Sequence, residues 1–420
     1  MPLLHCLYLA AATLAIAAAT ARGRVHPFLA VLVAATVFAF ASGMSISQLG
    51  KVFGTGFGQA MSTLGLLVLA ATAVSAIAER RLGTGRPACL NAAWTALLGV
   101  FAGTGASPAA AFAVLSPLPT GRRGALTLGL ALSAGQAFAL PSPVVIAATA
   151  IIAADWHRVL AFGLPFGLLT AATGAVLAGA AAPVEAATPP PAPSLPRRAA
   201  FALFAACVAM ALLLIVQSVG DFPSEPLGGG SSRELILGLG RPVIVVLVGV
   251  CIMAAATGGW RGGALSETGW PAGAIARAAP LILLLGAAGG LQSLTQTAHM
   301  AEMLAERMLP LPWGLALPFV VAAVMKTVQG SSLVAAITAA GMIQPLLPAL
   351  GLDGDTGRAL AVLAIGAGAM TVPHVNDGFF WLVADAASLR PARALKFFSG
   401  LSLLQFVFAM AALLAIHAVG

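Results

Sequence analysis

Long apolar runs, each near 20 residues, recur along the whole chain and are separated by short polar segments. A run of this length satisfies its own backbone hydrogen bonds as a helix and matches a hydrocarbon core about 30 Å thick. The pattern therefore predicts an all-α polytopic membrane protein. The clearest runs are 3–21, 59–78, 159–181, 199–219 and 397–420.

Two other apolar segments, 88–118 and 313–347, are interrupted. They are 31 and 35 residues long, too short for two crossings of about 20 residues each. Each has a polar, glycine-containing break near its middle, and a helix of about 11–16 residues rises only about 16–24 Å. We therefore predict two re-entrant hairpins, since backbone breaks at membrane depth are tolerated inside protein or facing water. About ten full transmembrane helices remain, near 3–21, 27–42, 59–78, 124–154, 157–181, 199–219, 236–256, 276–297, 359–388 and 395–419.

The distribution of basic residues tests this topology. With both hairpins re-entrant, one side of the membrane collects fourteen Lys and Arg residues and the other collects six. The positive-inside rule assigns the fourteen to the cytoplasm. We predict a multi-pass protein of the bacterial cytoplasmic (inner) membrane with both termini outside, in the periplasm. The fourteen are Arg22, Arg24, Arg80, Arg81, Arg86, Arg122, Arg123, Arg197, Arg198, Arg261, Arg277, Arg390, Arg393 and Lys396.

A proline-rich segment, 183–198, lies near the midpoint of the chain and indicates an extended linker. It separates a first half, 1–182, from a second half, 199–420. Five predicted spans precede the linker and five follow it, so the halves have opposite orientation in the membrane. This predicts two inverted-topology repeats.

The two halves also share features in the same order. Ala134-Gly135 matches Ala367-Gly368, and Pro141 matches Pro373, at offsets of 233 and 232 residues. Both prolines fall in predicted spans, 124–154 and 359–388, which we expect to be interrupted helices at mid-membrane. Inverted repeats with interrupted helices are typical of secondary transporters, whose sites form at the repeat interface.

The hairpin breaks are the candidate substrate-binding segments. A break leaves N–H groups without partners at one helix start, small residues let a ligand approach them, and serine hydroxyls add polar contacts. A kinked, packed helix is the structural alternative, because Gly, Ala and Ser also mediate close helix packing. The candidates are Gly105, Ala106 and Ser107 in the first break, Gly330, Ser331 and Ser332 in the second, and Ser142 in the 124–154 helix.

Ionisable residues within apolar segments are costly, so they indicate function. Lys326 lies four residues before Gly330 and would offer a cation to a carboxylate substrate. Asp377, or the neighbouring His374, could take up a proton as substrate binds, because burial favours a protonated carboxyl and imidazole titrates near neutral pH. The alternatives are a structural Lys–Asp pair and a packing histidine.

Composition narrows the class further. Hydrophobic residues make up 60% and charged residues 8% of the chain, whereas soluble domains carry roughly 25% charged residues. The net charge of +8 could indicate a nucleic-acid partner, but the basic residues lie mostly in short loops that set topology, so we predict none. The four cysteines form no CxxC pair, and we expect no metal and no cofactor.

Two motifs in the segment 325–383 are specific. The segment opens M-K-T-V-Q-G-S-S-L-V-A-A-I-T-A-A-G-M-I-Q-P and closes A-I-G-A-G-A-M-T-V-P-H-V-N-D-G-F-F-W-L-V. It resembles the gluconate:proton symporter (gluconate permease) family, which usually has a basic residue before Q-G-S, then T-A-G, and later G-A-G followed by H-V-N-D and G-F-W-L. The matching residues are Lys326, Gln329, Gly330, Ser331, Thr338, Gly341, His374, Asn376 and Asp377.

The resemblance implies proton-coupled uptake of a small organic acid, such as gluconate or a related hydroxy- or amino-carboxylate. It adds Gln329 and Asn376 to the substrate-binding residues. It also implies an inverted-repeat fold of the ion-transporter superfamily, a homodimer and an elevator motion. The lipid bilayer, the organic acid and the proton are then the expected partners.

The first half departs from the family. The family tends to carry an acidic D-V-G-F stretch in the first hairpin and P-P-H-P-G-P with a histidine after it. This chain has G-T-G-A-S-P at 103–108, Gln136, and L-P-S-P at 140–143. Because fewer polar groups lie on this side, we hypothesise a smaller or less hydroxylated acid than gluconate.

Two other functions stay open from the residues. One is a sodium-coupled dicarboxylate or oxyanion carrier of the same superfamily. The other is an intramembrane enzyme using His374 and Asp377. The chain has no HExxH motif and no G-x-S-x-G nucleophile elbow, so we predict that it is not an enzyme.

Overall fold

The described part of the protein is mainly helical and contains no strand. The computed structural model describes residues 2–21, 25–82, 91–105, 107–119, 121–181, 197–220, 228–260, 264–298 and 313–419. Ala106 and most of the predicted linker lie outside these ranges, whereas the linker's last two residues, Arg197 and Arg198, already belong to a helix.

The described part of the first half contains nine α-helices. They are α1 (Pro2–Ala21), α2 (Pro27–Ala41), α3 (Ile46–Ala60), α4 (Leu66–Leu82), α5 (Ala92–Gly103), α6 (Pro108–Leu115), α7 (Gly121–Phe138), α8 (Pro143–Ile152) and α9 (Trp156–Ala181).

The helices of the second half follow a similar order of long and short elements. They are α10 (Arg197–Gly220), α11 (Ser231–Leu239), α12 (Pro242–Thr257), α13 (Trp270–Thr297), α14 (Ala316–Gln329), α15 (Ser332–Ile343), α16 (Asp355–Ala369), α17 (Gly378–Ala386), α18 (Pro391–Ala394) and α19 (Gly400–Val419).

Several of these helices can cross a bilayer by length and composition. Among the described residues six helical stretches qualify, and the pair α11–α12, bent by 59°, would make a seventh. The chain is therefore a multi-pass membrane protein, and the count of ten full spans stays a prediction. The six stretches are Ile46–Ala78, Gly121–Ile152, Trp156–Ala181, Ala200–Gly220, Trp270–Thr297 and Pro391–Ala418.

The helix that contains the predicted span 59–78 begins earlier than its hydropathy indicates. A π-helical turn, Met61–Gly65, joins α3 to α4. At the start of α3 the Gln48 N–H donates to Ser45 Oγ at 3.2 Å, and the Ser45 N–H donates to Gln48 Oε1 at 2.9 Å. This is a capping box, and its S-x-x-Q spacing was the available sequence signal for a start at Ile46.

In each half, a glycine at a position matched in the sequence lets two helices pack with close backbone contact. A Cβ added to Gly135 of α7 would lie 2.1 Å from the Val100 carbonyl oxygen of α5. A Cβ added to Gly368 of α16 would lie 2.2 Å from the Phe319 carbonyl oxygen of α14. Both distances are far inside van der Waals contact, so only glycine permits these backbone approaches.

Two arginines join the halves at the α8–α9 turn. Arg158 Nη1 donates to Thr356 Oγ1 at 2.8 Å, and Arg358 Nη1 donates to the Ile152 carbonyl at 2.8 Å. The Arg158 backbone N–H donates to the Asp155 carboxylate at 2.9 Å. This hydrogen bond lowers the pKa of the Asp155 carboxyl. The first half therefore contacts the start of α16 through paired, reciprocal hydrogen bonds.

We expect Gly135→Ala and Gly368→Ala each to destabilise the protein by about 1–3 kcal/mol, because the new methyl overlaps a backbone oxygen. The measurement is the thermal unfolding of each purified variant in detergent. Gly54→Ala is the control, since an added Cβ there has nothing within 4 Å and alanine is the better helix former. Equal unfolding temperatures for all three variants would contradict the packing argument.

Candidate functional site

The break between α14 and α15 is a tight turn at Gly330. Gly330 has φ +77°, and its N–H donates to the Lys326 carbonyl at 2.8 Å, which ends α14. A Cβ there would lie 2.5 Å from the Asn376 carbonyl oxygen. Ser331 Oγ accepts the Val334 N–H at 3.4 Å and caps α15. Glycine at this position therefore lets the turn pack directly against the segment between α16 and α17.

A buried ion pair joins this turn to α17. Lys326 Nζ lies 2.5 Å from Asp377 Oδ2 and donates to the Gly330 carbonyl at 2.8 Å. The side chains are only 3% and 11% exposed. Two opposite charges at this distance compensate part of the cost of removing each from water, and a lone charge would bear that cost in full.

The Asp377 carboxylate also caps α17. Its Oδ1 accepts the Phe379 N–H at 2.8 Å. An N-terminal helix end carries partial positive charge, so it stabilises a carboxylate. Asp377 therefore has an ammonium on one oxygen and a helix start on the other. These are the partners that any small carboxylate would need.

His374 and Asn376 hold the same segment against the end of α14. His374 Nε2 lies 2.5 Å from the Thr327 carbonyl oxygen, and Asn376 Nδ2 donates to the Val328 carbonyl at 3.1 Å. A carbonyl only accepts, so Nε2 carries the proton and Nδ1 of the neutral ring is an acceptor. His374 Nδ1 and Asn376 Oδ1 are buried and have no hydrogen-bond partner within the described ranges. The site thus holds two unused acceptors beside the ion pair.

The segment between α16 and α17 is strained. Val372 has φ +44°, a conformation that a β-branched residue rarely adopts. Two buried hydroxyls fix the segment. Ser399 Oγ, in the π-helical turn just before α19, donates to the Pro373 carbonyl, and Ser402 Oγ of α19 donates to the Met370 carbonyl at 3.0 Å. Strain maintained by surrounding contacts is common at functional sites.

The break between α5 and α6 is built from uncharged groups. Ser107 Oγ accepts the Ala110 N–H at 3.0 Å and caps α6. Ser142 lies fully buried before α8, and its Oγ donates to the Gln136 carbonyl at 2.6 Å. Gly105 is buried and lies next to the Gln136 side chain.

The sequence-predicted residues therefore form two groups. Lys326, Gly330, His374, Asn376 and Asp377 meet in one hydrogen-bonded cluster. Gln329 is buried, and Ser331 and Ser332 follow directly at the start of α15. Gly105, Ser107 and Ser142 belong to the first-half break, and Ala106 lies outside the described residues. Sequence reasoning did not select Gln136 for the site, although a buried amide in the apolar run 125–140 was a signal.

The cavity nearest His374 is apolar. It has a volume of about 680 Å³ and lies between α1, α14 and the last helix, with Leu9, Phe319, Val324 and Leu403 among its lining residues. Such walls do not suit a charged, hydroxylated ligand. Across the residues that the structure describes, no three His, Cys, Asp or Glu side chains come close enough to share a metal ion.

These features define a class of protein. A multi-pass helical membrane protein with short paired helices, broken helices and a buried, polar ionisable cluster has the features of a membrane transporter. Comparison with known families agrees. The profile described as GntP family permease matches residues 3–79 and 123–419, so the chain belongs to this family. The matched ranges leave out 80–122, which contains α5 and α6.

Individual relatives carry related descriptions. The chain is 26% identical over 416 residues to a gluconate permease of Pseudomonas aeruginosa, covering 89% of each chain. It is 28% identical over 195 residues to a gluconate permease of Zymomonas mobilis, covering 45% of this chain and 42% of that one. The solved YdaH transporter of Alcanivorax borkumensis has a TM-score of 0.36 at 17% identity, covering 87% of this chain and 89% of that one.

We expect Lys326→Met or Asp377→Asn alone to destabilise the protein by about 3–5 kcal/mol, because each leaves an unpaired buried charge. The double variant should recover most of this loss. A double-mutant cycle on unfolding temperature in detergent measures the coupling. Asp355→Asn, which removes the exposed contact to Arg158 at 3.8 Å, is the control and should cost about 1 kcal/mol or less. If the loss of stability in the double variant equals the sum of the losses in the two single variants, the pairing is contradicted.

Proposed function

We propose that this permease is a secondary transporter that takes a small organic acid into the cell together with a proton. The substrate class is a sugar acid such as gluconate, or a related hydroxy- or amino-carboxylate. The buried Lys326–Asp377 pair at the start of α17 is the observation that carries the proposal. The relatives described as gluconate permeases support the class of substrate.

The ion pair offers a direct way to couple the two solutes. Protonation of Asp377 neutralises its carboxylate and frees the Lys326 ammonium. A substrate carboxylate can then take the place of Asp377 beside Lys326. The cluster is neutral before binding and neutral with one proton and one carboxylate bound, so no net charge enters the membrane interior uncompensated.

Neighbouring groups complete the site. Asn376 Oδ1, a buried acceptor, suits a hydroxyl on the substrate carbon next to the carboxylate. Gln329, Gly330, Ser331 and Ser332 supply the remaining polar surface. His374 Nδ1 is an alternative acceptor for the coupled proton.

The architecture that we propose has two inverted repeats with re-entrant hairpins. Supporting features are the matching approaches of Gly135 and Gly368 and the reciprocal packing of α6 on α17 and of α8 on α15. The hairpins would then be α5–α6 and α14–α15, and the linker would lie between 1–182 and 199–420. The inner-membrane location, both termini outside, a homodimer and an elevator motion complete the proposal.

The two other functions fit the site less well. A sodium ion next to Asp377 would need several oxygen ligands, whereas the Lys326 ammonium already neutralises this carboxylate. An intramembrane enzyme has no support from the family, whose members are described as permeases.

We expect Lys326→Met to weaken the binding of gluconate, lactate and other carboxylates alike by tenfold or more. The reason is the loss of a charge-assisted hydrogen bond, worth about 1.5–3 kcal/mol. Titration calorimetry on the purified protein measures the affinities. Lys396→Met is the matched control, since Lys396 is exposed. Unchanged affinity in Lys326→Met would remove this residue from the substrate site.

We expect Asp377→Asn to abolish substrate accumulation driven by a pH gradient in proteoliposomes. The amide mimics the protonated carboxyl, so substrate exchange between two equal pools should persist. His374→Gln, tested in parallel, shows whether Asp377 or His374 accepts the coupled proton. Uphill uptake by Asp377→Asn that is lost in His374→Gln would assign the proton to His374 instead.

A further inference from the structure

The Gln136 side chain is a buried polar group beside the first break. Gln136 is 1% exposed and lies two residues before the end of α7. Its carboxamide faces two carbonyl oxygens, those of Gly103 and Gly105, the second at 3.3 Å. Both are acceptors, so the amide nitrogen is the atom that faces them and donates to both.

These hydrogen bonds complete the end of α5. The last carbonyls of a helix lack partners within the helix, and burial makes an unpaired one costly. The Gln136 backbone carbonyl also accepts the Ser142 hydroxyl at 2.6 Å. One residue thus joins the first break, the end of α7 and the start of α8.

In the second half a carboxamide also donates to a carbonyl at a helix end, but there it leaves an acceptor without a partner among the described residues. There the Asn376 carboxamide donates to the Val328 carbonyl in the last turn of α14. However, Asn376 Oδ1 stays unused, and the charged pair lies beside it. In the first half, three side chains donate hydrogen bonds to protein carbonyls. They are the Gln136 amide, the Ser142 hydroxyl and the Thr104 hydroxyl, which donates to the Phe101 carbonyl at 2.7 Å.

Helix α6, which follows the first break, packs against α17, which begins at the Asp377 cap. Phe112 and Phe379 pack edge to face with ring centroids 6.0 Å apart. Ser107 precedes Phe112 by five residues, which is about 8 Å along a helix. Phe379 donates its N–H to Asp377. This packing permits a substrate whose carboxylate lies on Lys326 to extend its other end toward the first break.

We propose that Gln136 is a positioning residue that keeps the Gly103 and Gly105 carbonyls hydrogen-bonded within the protein, and that the uncharged surface of the first break selects a short 2-hydroxy carboxylate over a six-carbon sugar acid. The proposal rests on the proposed function and narrows its substrate class. Hydroxyls of a long polyol tail would meet few free partners there and would lose their hydrogen bonds to water. One hydroxyl next to the carboxylate would still find Asn376 Oδ1.

The test compares lactate with gluconate as competitors for uptake of radiolabelled lactate into proteoliposomes. We expect wild-type protein to prefer lactate by about tenfold or more. Gln136→Ala frees the Gly103 and Gly105 carbonyls, and Gln136→Glu keeps the size but cannot donate to them. Both variants should move the preference toward gluconate by about tenfold, with the Michaelis constants changing more than the maximal rates.

Gln405→Ala is the matched control. Gln405 is also fully buried and donates to a carbonyl of α7, that of Leu130, at 3.0 Å, but it lies outside the break. It should lower the unfolding temperature without changing the preference. A wild-type preference for gluconate, or the same preference in all variants, would overturn the proposal. Failure of wild-type protein to bind either acid in a Lys326-dependent way would instead overturn the proposed function.

Discussion

The ion pair between Lys326 and Asp377 is the interaction on which the rest of the site depends. Either charge alone would be strongly unfavourable at 3% or 11% exposure inside a membrane protein. Each residue therefore requires the other, and both require a backbone that brings α14 and α17 together. The Gly330 turn and the start of α17 provide that backbone, since they supply a carbonyl for the ammonium and an N–H for the carboxylate. The pair is thus a constraint on the fold, and it is also the binding device that we propose.

That constraint accounts for the distortion around the pair. For Asp377 to cap α17, the helix α16 must stop at Ala369 and leave residues 370–377 irregular. Irregular backbone inside a membrane protein needs internal hydrogen-bond partners. Ser399, Ser402 and the Trp381 indole supply them, the indole donating to the Val375 carbonyl at 2.9 Å. The positive φ of Val372 is then maintained by contacts on both sides of it.

The sequence carried enough information to predict the charged half of this site. A lysine and an aspartate inside apolar segments have few structural explanations, and a glycine before two serines indicates a turn. The start of α3 at Ile46 was harder, because its glycines and polar residues lower the hydropathy while the capping box that starts it is local. Gln136 was missed as a site residue for a different reason. Its role depends on which carbonyls face it, and only the packing of α5 on α7 through Gly135 brings them there.

The two halves show how similar backbones can carry different chemistry. In both, a glycine lets a broken helix approach a paired short helix, and a carboxamide binds the carbonyls at that helix end. The second half adds a cation, an anion and unused acceptors, whereas the first half is uncharged and its Gln136, Ser142 and Thr104 side chains donate to protein carbonyls. In the site that we propose, the second half binds the charged group of the substrate and the first half accommodates the remainder mainly by shape. We therefore expect selectivity for the tail of the substrate to depend on the space and the uncharged surface that α6 and the Gln136 contacts leave, rather than on added polar partners.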